Sequence, residues 1–491
     1  MNNYIGIDLG TSGAKILLVS ASGKILAENT QRYPVNYPGP GMSEQNPADW
    51  LRAAKEGVKA VLDGRDASCV KGISFGGQMH GSVLLGKCGN IIRPTILWND
   101  GRTGEETDYL NNVVGKDTLR RLTGNIAFAG FTAPKLLWLK KHEPDNFAKA
   151  TKIILPKDYL AYKFSGEFCT DLSDASGTLL LDVERRDWSD KMCKICGIDR
   201  EMLPKLYESS AVVGEILPDI ADELGLPRGV KIIAGAGDNA AAAVGTGIVG
   251  EGGCNISLGT SGTLFVSSRE FRADKEDSLH AFCHADGGWH LMGCILSAAA
   301  SGSWWMKGIL HSTDFAKEES GCERSMGKNE VYFLPYLMGE RSPHNDVHAR
   351  GAFVGMRVDT SRKAMTLAVL EGVAFALKDC LEAAKRDGAA ITRTSLCGGG
   401  AKSRLWRNII ANVMNIPVDL PLTEQGPAFG AAMLAMVGCG EYQDVARAAK
   451  SIVKTKETIL PDPNIAAAYQ ERYQTFASLY PSLKTTFRNM K

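Results

Sequence analysis

The sequence has almost no excess of charge of either sign. Its 56 Lys and Arg residues are matched by 55 Asp and Glu residues, so the formal net charge is +1 at pH 7. Surfaces that bind nucleic acid or an anionic membrane usually carry a clear basic excess. Neither partner is therefore expected. With 23% charged and 44% hydrophobic residues in a length of 491, the chain has the composition of a globular protein of about two to four domains.

Long apolar runs are also absent. No charge-free apolar stretch reaches the roughly 18 residues that a membrane-spanning helix needs, and the first residues lack the basic start of a signal peptide. The 12 cysteines are scattered, and Cys193 and Cys196 form a CxxC without the second pair that a zinc site would need. We expect reduced thiols and a cytoplasmic location.

The P-loop pattern GxxxxGK[ST] is missing as well. Glycine is nevertheless abundant, with 53 residues, and the pentapeptide Leu-Gly-Thr-Ser-Gly occurs twice, at 9–13 and at 258–262. Each copy follows a predicted strand and opens a predicted hairpin. The backbone N–H groups and hydroxyls of such turns can surround a phosphate. The repeat predicts two similar α/β domains that each offer one turn to a shared ligand.

Two aspartates accompany these glycine-rich segments. Asp8 precedes the first turn, where a carboxylate repels a phosphate unless a cation lies between them. Asp8 is therefore a candidate magnesium residue, acting through water, or else a cap of the turn. Asp238 follows the predicted strand 231–236 and opens a helix of small residues. It could accept a proton from a substrate hydroxyl, or it could be an ordinary helix N-cap.

Residues 235–240 also imitate the GxGxxA fingerprint of a dinucleotide site. Asp238 would repel a pyrophosphate there, and no acidic residue follows at the required spacing. A nicotinamide-dependent oxidoreductase is therefore a minor alternative. Two polar segments, 76–81 with Met79 and His80 at an exposed turn and 98–102, could line a pocket for a ligand with many hydroxyls. The glycine-rich turn 398–403, between a predicted strand and helix, suits an adenosine or a phosphate.

These segments together resemble the FGGY family of carbohydrate kinases over nearly the whole chain, most closely its bacterial members that act on D-xylulose. The resemblance is carried by segments such as IGIDLGTSG (5–13), GGQMHG (76–81), ILWNDGR (96–102), LPKDYL (155–160), GDNAA (237–241), SLGTSG (257–262), FLPYLMGER (333–341) and GGGAKS (398–403). It implies an α/β fold of two ribonuclease H-like domains of the actin/hexokinase ATPase type, 1–245 and 246–491, with a central cleft.

The resemblance also implies an activity, the transfer of the γ-phosphoryl group of ATP, with Mg²⁺, to the 5-hydroxyl of D-xylulose. Ribulose, fuculose, gluconate and glycerol are alternative small-molecule acceptors. A non-catalytic actin-fold module that binds sugar and ATP is a more distant alternative. A homodimer is expected from the family alone.

Site residues follow from matching motif positions. Asp238 would be the proton acceptor and Asp8 would orient magnesium. The residues that would contact the sugar are Met79, His80, Trp98 and Asn239. The residues that would hold ATP are Thr11, Ser12, Gly259, Thr260, Gly302, Gly399, Gly400 and Arg404. Glycerol kinases carry Asn where this chain has Arg404. The polar segment 340–344 is interpreted as a structural loop or a domain-closure contact.

Overall fold

The computed structural model describes residues 1–423 and 425–490. Its strands are β1 (Asn3–Leu9), β2 (Gly13–Ser20), β3 (Ile25–Arg32), β4 (Glu44–Gln45), β5 (Val70–Gly77), β6 (Val83–Leu85), β7 (Thr95–Ile96), β8 (Lys152–Ile154), β9 (Cys169–Asp171), β10 (Leu181–Asp182), β11 (Asp187–Trp188), β12 (Lys205–Tyr207), β13 (Val212–Glu215), β14 (Lys231–Ile233), β15 (Ala236–Gly237), β16 (Cys254–Leu258), β17 (Gly262–Ser268), β18 (His280–Cys283), β19 (Trp289–Ile295), β20 (Tyr332–Leu334), β21 (Ala352–Val354), β22 (Thr394–Cys397), β23 (Val418–Pro421) and β24 (Thr455–Ile459).

Helices cover these strands. They are α1 (Pro47–Leu62), α2 (Gly104–Asp108), α3 (Lys116–Thr123), α4 (Thr132–His142), α5 (Pro144–Lys149), α6 (Pro156–Ser165), α7 (Leu172–Ser176), α8 (Asp190–Cys196), α9 (Pro218–Leu224), α10 (Asp238–Gly245), α11 (Ala299–Ser303), α12 (Phe315–Glu319), α13 (Arg362–Arg386), α14 (Arg404–Met414), α15 (Gly426–Gly438), α16 (Val445–Ile452) and α17 (Pro463–Asn489). In the described ranges, no helix combines the length and apolar character that a bilayer crossing requires.

Two seven-stranded sheets organise the molecule. In the first, the order is β13-β14-β5-β1-β2-β3, and β15 also pairs with β5. In the second, the order is β18-β19-β17-β16-β22-β23-β24. Both sheets contain three antiparallel strands (β1, β2, β3; β16, β17, β19) followed by two parallel ones (β5, β14; β22, β23). The prediction of two similar α/β domains from the repeated pentapeptide is therefore confirmed.

Local sequence explains where most elements begin and end. Asn46 as N-cap, Pro47 at the first helical position and an apolar face predict a helix at about 48–63, and this helix is α1. The Asn46 side chain accepts a hydrogen bond from Ala48 N, and Pro47 occupies the first turn. Its apolar face buries Trp50 and Val58 against the first sheet. The hydrophobic pattern and capping residues thus decide the start, the face and the orientation of this helix.

The Gly89-Asn90 turn predicts a hairpin of 82–86 with 91–97, and the structure forms this hairpin with irregular pairing. Ser82 bridges Ile96 and Leu85 bridges Ile91, both in the antiparallel sense. In addition, β6 pairs with β8, and β7 pairs with β4. All three residues of β6 are buried, so the strand needs apolar partners on both sides, and β8 supplies them from another part of the chain.

We refer to residues 1–245 as the first lobe and to residues 254–423 as the second lobe. The boundary between 1–245 and 246–491 remains a prediction. Helix α15 lies beyond that boundary in sequence, yet it packs on the first sheet: a Cβ atom added to Gly6 of β1 would lie 1.9 Å from Ala428 O. The same helix crosses α10, where a Cβ atom on Gly430 would lie 1.8 Å from Ala241 O. Small residues let these backbones touch.

Candidate active site

Three neighbouring parallel strands of the first sheet end at one edge. Asp8 of β1 lies in register with Gly76 of β5, and Gly237 of β15 lies in register with Gly77. The residues that follow β5 and β15 therefore emerge beside the end of β1. This edge brings Asp8, the 78–80 segment and Asp238 together, as ligand sites in open α/β sheets are built.

Asp238 is the first residue of α10. Its Oδ1 accepts hydrogen bonds from Asn239 N at 2.7 Å and from Asn239 Nδ2 at 2.9 Å. Burial raises the pKa of Asp238 to about 6, and the backbone hydrogen bond from Asn239 opposes the rise. The N-cap alternative is wrong, because Gly237 occupies the cap position. Among the described residues, Oδ2 has no hydrogen-bond partner, so it is free to accept a proton.

Asp8 lies close enough to Asp238 to feel its charge. Burial, and then the Asp238 carboxylate, raise the pKa of Asp8 to about 7, while Lys15 acts in the opposite direction. Asp8 Oδ1 is buried, and within the described ranges it has no hydrogen-bond partner. The first turn is closed by its own backbone, Gly10 N to Gly13 O at 3.0 Å. A buried, unpartnered carboxylate oxygen beside a second carboxylate fits a divalent cation better than a turn cap.

Met79 and His80 follow β5 directly. Met79 is buried rather than exposed, against Gly237, where an added Cβ atom would lie 2.9 Å from the Met79 Sδ. The His80 Nδ1 lies 2.7 Å from Gly177 O, and its ring stacks on Phe131 at 4.7 Å. Burial, and then the Lys135 charge, lower the pKa of His80 to about 3. The neutral ring therefore donates from Nδ1 and leaves Nε2 as an acceptor for a hydroxyl.

A hydrogen-bonded chain that the sequence reasoning missed joins the first turn to this edge. Trp98 Nε1 donates to Thr11 Oγ1 at 3.0 Å, and Gln45 Nε2 donates to Thr11 O at 2.7 Å. Gln78 Nε2 donates to Gln45 Oε1 at 2.9 Å. Gln45 lies in SEQNP (43–47) and Gln78 in GGQMHG (76–81). Both segments carry the family resemblance, which is the signal that could have identified these glutamines. Trp98 is 45% exposed, so its indole ring can form one wall of a ligand pocket. Ser12, at the tip of the first turn, is exposed.

Beneath this edge lies a buried charge cluster that was also missed. Lys157 lies at the centre of three buried aspartates, Asp158, Asp171 and Asp174. The Lys157 Nζ is 2.8 Å from Asp171 Oδ1 and 3.7 Å from Asp174 Oδ2. It lies 3.3 Å from Ala234 O, in the segment that leads to Asp238. The ammonium group thus pairs with these carboxylates, and its contact with Ala234 O holds the backbone of the segment that leads to Asp238.

The second lobe contributes the matching turn and a cavity. Gly259 O accepts a hydrogen bond from Ala299 N at 2.8 Å, and Thr260 O accepts one from Ala298 N at 3.0 Å. These bonds fix the turn to the start of α11. Thr260 itself is exposed. Four of the predicted nucleotide residues line one cavity of about 820 Å³ beside it, namely Gly302, Gly399, Gly400 and Arg404. That volume is of the size that binds a nucleoside-sized ligand.

Gly235 and Gly237, which imitate a dinucleotide fingerprint, are required by packing. Gly235 has φ +80°, and a Cβ atom there would lie 2.0 Å from Phe75 O. Gly237 makes room for Met79. Close packing against β5 and its following loop therefore explains both glycines without a pyrophosphate.

Comparison with known proteins agrees with this geometry. The model of the N-terminal domain of the FGGY family of carbohydrate kinases matches residues 3–245, and that of the C-terminal domain matches residues 254–439. A xylulose kinase of Escherichia coli (strain K12) is 41% identical over 482 residues, which cover 98% of this chain and 99% of the relative.

Solved structures give the same result. A "xyloylose kinase" from Brucella ovis is similar with a TM-score of 0.93 at 39% identity, covering 99% of this chain and 100% of that one. A gluconate kinase from Lactobacillus acidophilus has a TM-score of 0.95 at 26% identity, with both chains covered completely at 100%. The expected two-domain fold of the actin/hexokinase type is therefore confirmed. Since both family models match and the relatives extend over nearly the full length, this chain belongs to the FGGY family of carbohydrate kinases.

Proposed function

We propose that the protein transfers the γ-phosphoryl group of ATP to the 5-hydroxyl of D-xylulose, with Asp238 as the proton acceptor. Enzymes of the FGGY family are carbohydrate kinases that use ATP, and the names of the relatives point to xylulose as the acceptor. The observation that carries the mechanism is the pair of Asp8 and Asp238 at the ends of β1 and β15, the two strands that flank β5, close enough for the Asp238 charge to raise the pKa of Asp8.

Asp238 has the geometry of a general base. Because Asn239 occupies Oδ1 through two hydrogen bonds, Oδ2 accepts the proton of the sugar hydroxyl as the hydroxyl oxygen attacks the γ-phosphorus. The bond from that phosphorus to ADP breaks as the new ester bond forms. His80 Nε2 would accept from a second hydroxyl, and the Trp98 indole would pack on the carbon skeleton. Fixing these groups in advance supplies much of the rate.

Asp8 would hold Mg²⁺, because its buried Oδ1 lacks any other partner among the described residues. The cation, when bound, neutralises charge on the phosphate groups. Backbone N–H groups and hydroxyls of the two repeated turns would bind the phosphate oxygens, from Thr11, Ser12, Gly259 and Thr260. The nucleoside would occupy the cavity that Gly302, Gly399, Gly400 and Arg404 line.

An ADP-release assay tests the proposal. Wild-type enzyme is assayed with ATP and D-xylulose, ribulose, fuculose, gluconate or glycerol, beside Asp238→Asn and a control, Asp63→Asn, at an exposed aspartate that follows α1. We expect the highest kcat/KM with D-xylulose. Loss of the base should lower kcat at least about 10²-fold, with unchanged ATP affinity and an unaffected control.

Two outcomes would contradict the proposal separately. Near-normal turnover of Asp238→Asn would remove Asp238 from the role of base. A clear preference for another acceptor would replace D-xylulose but leave the kinase mechanism in place.

A homodimer, on the ground of the family resemblance, and a cytoplasmic location, on the ground of the scattered cysteines, complete the proposal. Light scattering of the purified protein would test the dimer. A particle of twice the chain mass of 52.9 kDa supports it, and a particle of one chain mass contradicts it.

A further inference from the structure

The segment 340–344 is held beside the phosphate turn of the second lobe. Ser342 N donates to Cys294 O at 2.9 Å, and Cys294 N donates to Ser342 Oγ at 3.0 Å. Cys294 of β19 pairs with Thr263 of β17, the residue that directly follows the repeated pentapeptide at 258–262. The backbone of Arg341 is therefore anchored one strand away from that turn.

The side chain of Arg341 reaches the first lobe. Its guanidinium lies over the Phe128 ring, 4.6 Å from the ring centroid. Phe128 packs on Phe131 at 5.3 Å, and Phe131 stacks on His80 at 4.7 Å. The charge of Arg341 also contributes to lowering the pKa of His80. The guanidinium thus lies in the cleft, between the second phosphate turn and the residue expected to contact the sugar.

Arg341 has no counter-ion in the described part of the chain. No carboxylate forms an ion pair with it, and its Nε is buried without a hydrogen-bond partner. The neighbouring Glu340 uses Oε1 to accept from Leu296 N and Arg341 N, both at 2.8 Å. Burial raises the pKa of Glu340 to about 8, so this carboxyl is largely neutral at pH 7. A partly buried, unpaired cation costs free energy unless a ligand supplies the anion.

We propose that Arg341 binds the phosphate group during its transfer and in the sugar phosphate product. The inference rests on the proposed kinase function and adds a phosphate-binding residue from the second lobe. A neutral sugar cannot neutralise a guanidinium, whereas phosphate oxygens match its planar fork of donors. Arg341 forms and breaks no covalent bond. It stays protonated while the phosphorus exchanges the ADP oxygen for the sugar oxygen and the proton moves to Asp238.

The test compares three variants. Arg341→Met removes the charge but keeps an apolar chain over Phe128, and Arg341→Lys keeps the charge without the fork. Arg185→Met is the matched control, at an arginine whose side chain is 84% exposed. Isothermal titration measures the affinity for D-xylulose and for D-xylulose 5-phosphate, and an ADP-release assay measures kcat and KM.

We expect Arg341→Met to weaken binding of the sugar phosphate about 10- to 100-fold, the typical range for loss of a charge-assisted contact. Binding of the free sugar should change less than about threefold, and kcat should fall while the sugar KM is nearly constant. Arg341→Lys should retain part of the phosphate affinity. An additional variant, Arg341→Ala, tests chemical rescue: millimolar guanidinium should restore part of its kcat and have no such effect in Arg185→Met.

Equal losses for sugar and sugar phosphate, or an unchanged affinity for the sugar phosphate, would overturn the inference. If Arg341→Met fails to fold, Arg341→Lys tests the inference in its place. The inference would be overturned if Arg341→Lys lowered the affinity for the sugar phosphate no more than the affinity for the sugar. A wild-type enzyme that phosphorylates no acceptor in the panel would reject the proposed function and this inference with it. A fully active wild type beside a neutral Arg341→Met would reject the inference alone.

Discussion

At the scale of single residues, burial is the largest cause of the pKa shifts of Asp8, His80 and Asp238. It raises the pKa of Asp238 to about 6 and, together with the Asp238 charge, that of Asp8 to about 7. It lowers the pKa of His80 to about 3. Burial disfavours a charge that lacks a partner. It therefore raises the proton affinity of the Asp238 carboxylate and keeps the His80 ring uncharged at neutral pH.

A pH dependence follows from these values. A carboxyl with a raised pKa keeps its proton to higher pH, so below about pH 6 Asp238 is protonated and cannot accept another proton. We expect kcat/KM for the sugar to fall as the pH falls through 6, and the loss should approach about tenfold per pH unit below that value for one such group. His80 should add no step in this range. A steady-state profile from about pH 5 to 8, with the fold checked by circular dichroism at each pH, measures this. A flat profile would contradict the pKa assignment.

At the scale of elements, the crossing of α10 and α15 links the two halves of the chain. The crossing depends on glycine at the contact, since a Cβ atom on Gly430 would overlap Ala241 O at 1.8 Å, and one on Gly245 would lie 2.8 Å from Gly426 O. Helix α10 begins with Asp238. A displacement of α15 would therefore shift Asp238, the proposed base, as well as the packing.

Gly430→Ala tests this crossing. The added methyl group has no space, so we expect a loss of stability of about 1–3 kcal/mol, the usual cost of overpacking, together with a lower kcat. Thermal denaturation and the ADP-release assay measure the two effects. Gly104→Ala is the control, because a Cβ atom at that helical position meets nothing within 4 Å. A Gly430→Ala variant as stable and active as the control would show that the helices can separate without consequence.

At the scale of the whole molecule, each of the two sheets carries one copy of the repeated pentapeptide turn, and the proposed function places both turns at one ligand. The 820 Å³ cavity is lined by residues of the second lobe, whereas Asp8, His80 and Asp238 belong to the first. In the proposed mechanism, neither lobe contains all the residues of the site. Ligand binding should therefore stabilise the whole chain rather than one half, as expected for a ligand that binds only the folded state.

A thermal-shift experiment distinguishes the nucleotide classes. ADP with Mg²⁺ at about 100 times its dissociation constant should stabilise the fold by about 2.7 kcal/mol and raise Tm. NAD⁺ at the same concentration should leave Tm unchanged, because packing explains the glycines of 235–240. A rise in Tm with NAD⁺ and none with ADP would revive the dinucleotide alternative.

Many features of this protein could be predicted from short segments of its sequence. The repeated pentapeptide predicted two similar domains, and Asn46 with Pro47 predicted the start of α1. Such features depend on local capping, turns and hydrophobic periodicity, which act within a few residues. The placement of Asp8 and Asp238 as candidate site residues came from the same local patterns and the family resemblance.

Contacts between distant segments were decided by tertiary structure. Asp8 and Asp238 lie close together because β1, β5 and β15 align in parallel. Strand β6 gained β8 as a second pairing partner, which no local pattern predicted. Lys157 among its aspartates, α15 on the first sheet, and Arg341 over Phe128 likewise depend on packing between distant segments. Local sequence cannot specify such contacts, because burial and strand pairing select them from the free energy of the entire fold.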